Sequence, residues 1–226
     1  MITGVFGLTG AGKSTFLAWC ASQALVDKPI SCGHFVWKTP LVDNSVRYER
    51  VYTNFECPGC FKLNFNDLGR RCFENSLLLI DEISLLCDSR NYKEFDDATK
   101  YFFTHHRKYN TDVIWCGQSY MDTDVKIRRL TKQYCFIEAA AFGRSRVSPL
   151  AKVLEVSDSG QIVEGFRDAP FFGCKWLKRS KYYKMFDSFE RRKLPAVGWE
   201  ERGRQGAVSK ALKTEAISTR VNNINY

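Results

Sequence analysis

The chain opens on Ile2-Thr3-Gly4-Val5-Phe6, a short β-prone run. It then passes through Gly7-Leu8-Thr9-Gly10-Ala11-Gly12-Lys13-Ser14-Thr15 into a helix-compatible stretch from Phe16 to Leu25. This is the pattern G-x-x-x-x-G-K-[ST] in the order strand, glycine-rich turn, helix, and it points to an α/β chain. Gly7, Gly10 and Gly12 let the backbone bend so that its N–H groups converge on phosphate oxygens, and the following helix adds the positive end of its dipole. Lys13 then reaches the β- and γ-phosphates, and the Ser14 hydroxyl ligates Mg2+. The run Gly7, Leu8, Thr9, Gly10, Ala11, Gly12, Lys13, Ser14 and Thr15 is therefore assigned to nucleotide binding, with ATP and Mg2+ as the cofactors.

A phosphate cradle needs a carboxylate to hold its metal. Leu77-Leu78-Leu79-Ile80 is an apolar run suited to a parallel strand covered on both faces, and it ends at Asp81-Glu82. Asp81 emerges at the carboxyl edge of the sheet, where α/β proteins bind their ligands, and is the natural Mg2+ partner of Ser14. Glu82 beside it accepts a proton from an attacking water, which favours hydrolysis over kinase chemistry. Thr111 to Gln118 reads as another strand, with Gln118 at its end beside the Asp81 strand, where an amide orients water or senses the γ-phosphate. The stretch from Tyr92 to Lys108 between them reads as a helix with Phe95, Ala98, Phe102 and His105 on one stripe. Arg107, Arg128 and Arg129 are candidates for a charge-stabilising arginine of the kind oligomeric enzymes supply from a neighbouring subunit, and sequence alone does not choose among them.

With 44% hydrophobic and 14% aromatic residues, the 226-residue chain can bury a sizeable core and is not a disordered one. Its net charge of +9 is uneven: up to Phe166 there are 20 Lys/Arg against 19 Asp/Glu, and from Arg167 onward 14 against 6. The basic end reads either as a surface for nucleic acid or anionic lipid or as a solvated face. No apolar stretch approaches the ~20 residues that cross a bilayer, and no secretory leader is visible, so a soluble protein with reduced thiols is expected. Cys57-Pro58-Gly59-Cys60 has the spacing of half a zinc site but lacks a second ligand pair, and a Pro-Gly turn flanked by cysteines is the alternative.

Taken in order, seven signals resemble one family. They are Gly7 to Ser14, Val51-Tyr52-Thr53-Asn54, Leu77 to Glu82, His106-Arg107-Lys108-Tyr109-Asn110-Thr111-Asp112, Gln118, Lys126-Ile127-Arg128-Arg129-Leu130, and Tyr182-Tyr183-Lys184-Met185-Phe186-Asp187-Ser188. The chain resembles the Zot (zonular occludens toxin) domain family, which contains the assembly ATPases of filamentous phages. The resemblance implies an ATP-driven motor in the host cytoplasm, at the inner face of the cytoplasmic membrane, that extrudes a single-stranded DNA virion. It also implies a homo-oligomer, arranged as a ring, that works with phage coat or membrane assembly proteins and with single-stranded DNA. Carried over by position, Lys13 and Ser14 hold nucleotide and metal, Asp81 and Glu82 serve metal and water, Gln118 senses, and Arg128 falls in the family's basic segment. The chain departs from the family at Lys108, where Arg-His is common. It also lacks the usual transmembrane helix and outer domain, so membrane contact is expected through a partner or the basic end.

The organisation expected is a P-loop domain over residues 1–190 and a basic tail over 191–226. The domain has a mostly parallel sheet flanked by helices, with a further strand at Tyr134–Ile137. A C-terminal β-hairpin spans Leu154 to Arg167 and turns at Asp158-Ser159-Gly160. Two other functions fit the same motifs: a DNA-packaging ATPase of the FtsK/HerA group, and a nucleotide-gated adaptor without motor activity.

Overall fold

The computed structural model describes residues 1–32, 35–37, 48–86, 96–156, 162–168 and 173–185. Strand β1 (Ile2–Phe6) is buried at every position. It lies between β7 (Asp112–Gly117) and β8 (Gln133–Ala140) and runs parallel to both. Beyond β7 come β6 (Ser76–Ile80), β4 (Arg50–Thr53) and the short β5 (Phe61–Lys62), all parallel. A separate two-stranded sheet pairs β2 (Ile30–Cys32) with β3 (Phe35–Trp37).

The strands alternate their side chains between two cores. Helix α1 (Lys13–Ala24) lays Phe16, Leu17, Trp19 and Cys20 on Val5, Leu77, Leu79, Ile114 and Cys116. The opposite faces of the same strands, through Ile2, Phe6, Leu78, Ile80, Val113 and Trp115, pack with Phe102, Phe103 and Ile127. Those last three come from α2 (Asp97–His105) and α3 (Val125–Leu130). Burial on both faces explains why β6 and β7 are apolar without interruption.

The helix expected over residues 92–108 is shorter. Residues 87–95, Phe95 included, lie outside the described residues, α2 starts at Asp97, and a 3-10 turn takes over at His106–Tyr109. The buried stripe is also corrected: Thr99, Phe102, Phe103 and His106 face inward, while Ala98 and His105 sit half-exposed at its edge. The apolar count was too low to fix the phase, because Thr99 and His106 are polar yet buried.

On the far side of β8 the sheet turns antiparallel. Strand β9 (Arg144–Val156) returns along β8, and its other edge carries β10 (Ile162–Asp168) and β11 (Lys175–Lys178). The expected C-terminal hairpin is therefore present as β9–β10, but β9 begins ten residues earlier than Leu154, and its first half builds a second hairpin with β8. The turn at Asp158-Ser159-Gly160 lies outside the described residues, as does the tail from 191 onward. Phe166 of β10 joins Phe6, Tyr120 and Tyr134 in an aromatic cluster, with centroids 5.0 to 6.2 Å from it, that fastens the extension to the parallel sheet. Among the described residues no helix is long and apolar enough to cross a membrane. Residues 57–60 form a turn, with the Cys60 N–H donating to the Cys57 carbonyl at 3.1 Å and Gly59 at φ 82°.

Candidate nucleotide-binding site

The loop between β1 and α1 is shaped by two different demands on glycine. Gly12, at the N-terminus of α1, has φ 105°, and a Cβ there would stand 2.3 Å from the Ser145 hydroxyl of β9. That hydroxyl donates to the Ala11 carbonyl at 2.6 Å, so β9 presses directly on the loop. Gly7 is needed for a different reason than chain bending: its Cβ would meet the Ile137 carbonyl of β8 at 2.4 Å. Leu8, Thr9 and Gly10 form the exposed tip. Lys13, buried at 8% exposure, donates from Nζ to the carbonyls of Gly7 at 2.8 Å and Leu8 at 3.2 Å, which poises the ammonium over the loop.

Because β7 lies between β1 and β6, the residues after β6 and β7 meet the loop at one edge of the sheet. The Ser14 hydroxyl donates to Asp81 Oδ2 at 2.5 Å. Burial pushes the Asp81 carboxyl up, the Ser14 hydrogen bond opposes this, and the neighbouring Glu82 adds to the rise. A hydroxyl and a half-buried, destabilised carboxylate in contact are the hard-oxygen pair that Mg2+ takes, so the residues present fit that ion.

Asn54, one residue past β4, brackets the Asp81 peptide. Its Nδ2 donates to the Asp81 carbonyl and its Oδ1 accepts from the Asp81 N–H, both at 2.7 Å. The following residue, Glu82, has φ 56° and ψ 72°, a left-handed conformation rare for a non-glycine residue. Its carboxylate accepts from the Ser84 hydroxyl at 2.9 Å and from Gln118 Nε2 at 3.5 Å. Ser14, Asp81, Glu82 and Gln118 are thus brought together as the sequence suggested, while the bracketing role of Asn54 was not foreseen. It is a contact between two strand ends 27 residues apart.

The arginines divide. Arg128 lies 4.7 Å over the Tyr120 ring and donates to Met121 Sδ at 3.5 Å, and its described contacts include neither the loop nor Asp81 and Glu82. Arg107 and Arg129 line a half-open cavity of about 350 Å3 with His106 and Lys132, next to Met1 and Ile2 at the opposite end of β1 from the loop. The arginine that does touch the loop is Arg179, just past β11, whose Nη1 donates to the Gly10 carbonyl at 2.9 Å. No motif surrounds it.

A glycine-rich loop between a buried strand and a helix, a serine on an aspartate from a strand two places away, and a glutamate–glutamine pair beside them define a P-loop NTPase fold. Residues 61–167, which carry Asp81, Glu82, Gln118 and Arg128, match the family described as Zonular occludens toxin (Zot). The resemblance read from the motifs is thereby borne out. No curated protein matches the sequence. Among solved structures, the chain is similar to the N-terminal domain of zonular occludens toxin from Neisseria meningitidis, at 15% identity and TM-score 0.49, covering 82% of this chain and 98% of that one. It is similar to the genome packaging NTPase from Sulfolobus turreted icosahedral virus 2 in complex with ATP-gammaS, at 10% identity and TM-score 0.43, covering 72% and 95%. A third is flagellar accessory protein FlaH from Methanocaldococcus jannaschii, at 13% identity and TM-score 0.42, covering 73% and 88%.

Proposed function

We propose that the chain is an ATP-hydrolysing motor of the Zot type that drives assembly and export of a single-stranded DNA virion at the cytoplasmic face of the host membrane. The observation that carries the hydrolytic part is the placement of Glu82, held by Ser84 and Gln118 directly beside the Ser14–Asp81 pair. Lys13 and the amides of the loop bind the phosphates, and Ser14 and Asp81 hold Mg2+, which when bound neutralises charge on the phosphate oxygens. Glu82 takes the proton of the attacking water, and Gln118, within reach of the same carboxylate, orients that water. Arg128, half-buried on the Tyr120 ring, serves a neighbouring subunit of a homo-oligomeric ring. The basic end of the chain docks on a coat or membrane partner or on anionic lipid.

Phosphate release by the full chain, with and without single-stranded and duplex DNA, tests this reading. Stimulation by single-stranded DNA supports the extrusion motor. Stimulation by duplex alone moves the assignment to a packaging ATPase, and binding of ATP without turnover moves it to an adaptor. Cutting the chain after Pro195 is expected to preserve ATP binding and abolish virion assembly, and normal assembly by the truncated protein removes the docking role.

A further inference from the structure

The sheet order gives the phosphate loop two unlike flanks. Asp81 and Gln118, which follow β6 and β7, mark the γ-phosphate end and lie to one side of β1, whereas β8, β9 and β11 lie to the other. A nucleotide whose terminal phosphate faces Asp81 and Glu82 extends its nucleoside toward the antiparallel side. Two side chains are presented there.

Arg179 is the first. Its backbone N–H donates to the Gly143 carbonyl at 3.0 Å, which fixes it to the β8–β9 turn, and its Nη1 grips the Gly10 carbonyl at the loop tip. Its Nε is shielded from solvent yet meets no acceptor among the described residues, and no carboxylate pairs with it there. Phe142 is the second. It stands in the same turn with φ 58°, a left-handed conformation that L residues rarely adopt, and its side chain is 94% exposed. Neither packing nor backbone preference accounts for a phenylalanine at that position, and strain combined with exposure is the mark of a residue kept for a ligand.

We propose that Arg179 and Phe142 form the nucleoside subsite of the loop, holding the base of the bound nucleotide by stacking on the planar guanidinium and the aromatic ring. The proposal rests on the reading of Gly7–Thr15 as a nucleotide loop and adds the part of the nucleotide that no motif assigns. The β8–β9 turn and β11 are then the elements that distinguish a nucleotide from a bare polyphosphate.

The test compares ATP with inorganic tripolyphosphate, which shares the phosphates and lacks the base. Both affinities are measured on the full chain by competition against a fluorescent ATP analogue. Phe142→Ala is expected to weaken ATP about tenfold, the scale of one lost stacking partner, while leaving tripolyphosphate within about twofold. Arg179→Ala, which also loses the bond to the Gly10 carbonyl, is expected to weaken both ligands, ATP about tenfold more than tripolyphosphate. Arg179→Lys keeps a donor for the Gly10 carbonyl but not the flat face, and is expected to fall between. Lys13→Ala weakens both ligands. Equal weakening of ATP and tripolyphosphate by Arg179→Ala makes it a phosphate or loop residue and overturns the proposal, as does unchanged ATP affinity in Phe142→Ala. If the wild-type chain binds tripolyphosphate as tightly as ATP, the loop reading stands and the nucleoside subsite falls. If it binds neither, the loop reading itself fails and the proposal falls with it.

Discussion

Replacing Asn54 by leucine isolates the device that sets the acidic pair. The swap keeps side-chain size and removes both 2.7 Å hydrogen bonds to the Asp81 peptide. Each such bond contributes about 1 kcal/mol net, and an amide N–H left without a partner costs about 1–3 kcal/mol where water does not reach it. Asn54 and Asp81 are both half-buried, so water recovers part of this, and a loss of about 1–3 kcal/mol in unfolding free energy is expected. The catalytic loss is larger, because the peptide released is the one that aims Asp81 and precedes the left-handed Glu82. Misplacement of reacting groups by about 1 Å costs on the order of 100-fold in rate. Urea unfolding and phosphate release on the same preparations measure the two effects. Asn54→Asp separates them further: one oxygen still accepts from the Asp81 N–H, but the other faces the Asp81 carbonyl, so part of the stability returns and little of the turnover. Wild-type turnover in Asn54→Leu refutes the bracket as an element of the site.

Gly12→Ala is expected to abolish nucleotide binding, both because Ser145 Oγ occupies the place of the Cβ and because φ 105° is closed to alanine. Adding Ser145→Ala removes the hydroxyl clash but not the backbone penalty, so ATP binding measured by calorimetry stays impaired in the double variant, and full recovery contradicts the backbone account. His106 predicts a pH effect on stability. Burial holds its imidazole below the ordinary histidine value, and its Nδ1 is bound to the Phe103 carbonyl at 2.8 Å. The unfolded chain therefore takes up a proton near pH ~6.5 that the folded chain takes up only at lower pH, so this stability is complete above pH ~6.5 and lost as pH falls toward the folded value. Denaturant midpoints at neutral pH and near pH ~5.5 measure it. His106→Gln is expected to flatten the dependence, and an equal slope in the variant refutes the assignment.

The parts of the site that were legible in the sequence are local. Gly7 to Thr15 is one turn with its flanking strand and helix, and Asp81-Glu82 and Gln118 each end an apolar run whose uniformity signals burial on both faces. What joins them, β7 lying between β1 and β6, follows from the order of the strands. The rest depends on pairings across long sequence separations that no short pattern carries. Ser145 reaches Ala11 and Arg179 reaches Gly10 only because β9 folds back along β8 and β11 pairs with the near half of β9. Residues 144–153 carry the mixed charged, small and apolar side chains of a strand with one open face, which hid the first hairpin. The stripe expected over residues 92–108 differs in phase because its buried positions include Thr99 in α2 and His106 in the turn that follows, polar residues that an apolar pattern does not count.

Hydrolysis at this site depends on the Glu82 carboxylate. Glu82→Gln keeps the volume of the side chain and removes the carboxylate that accepts the water proton. Measured side by side, ATP affinity is expected to stay within a few-fold of wild type while phosphate release falls at least ~100-fold, the scale of losing a general base. Unchanged phosphate release in Glu82→Gln, with ATP bound normally, contradicts the mechanism.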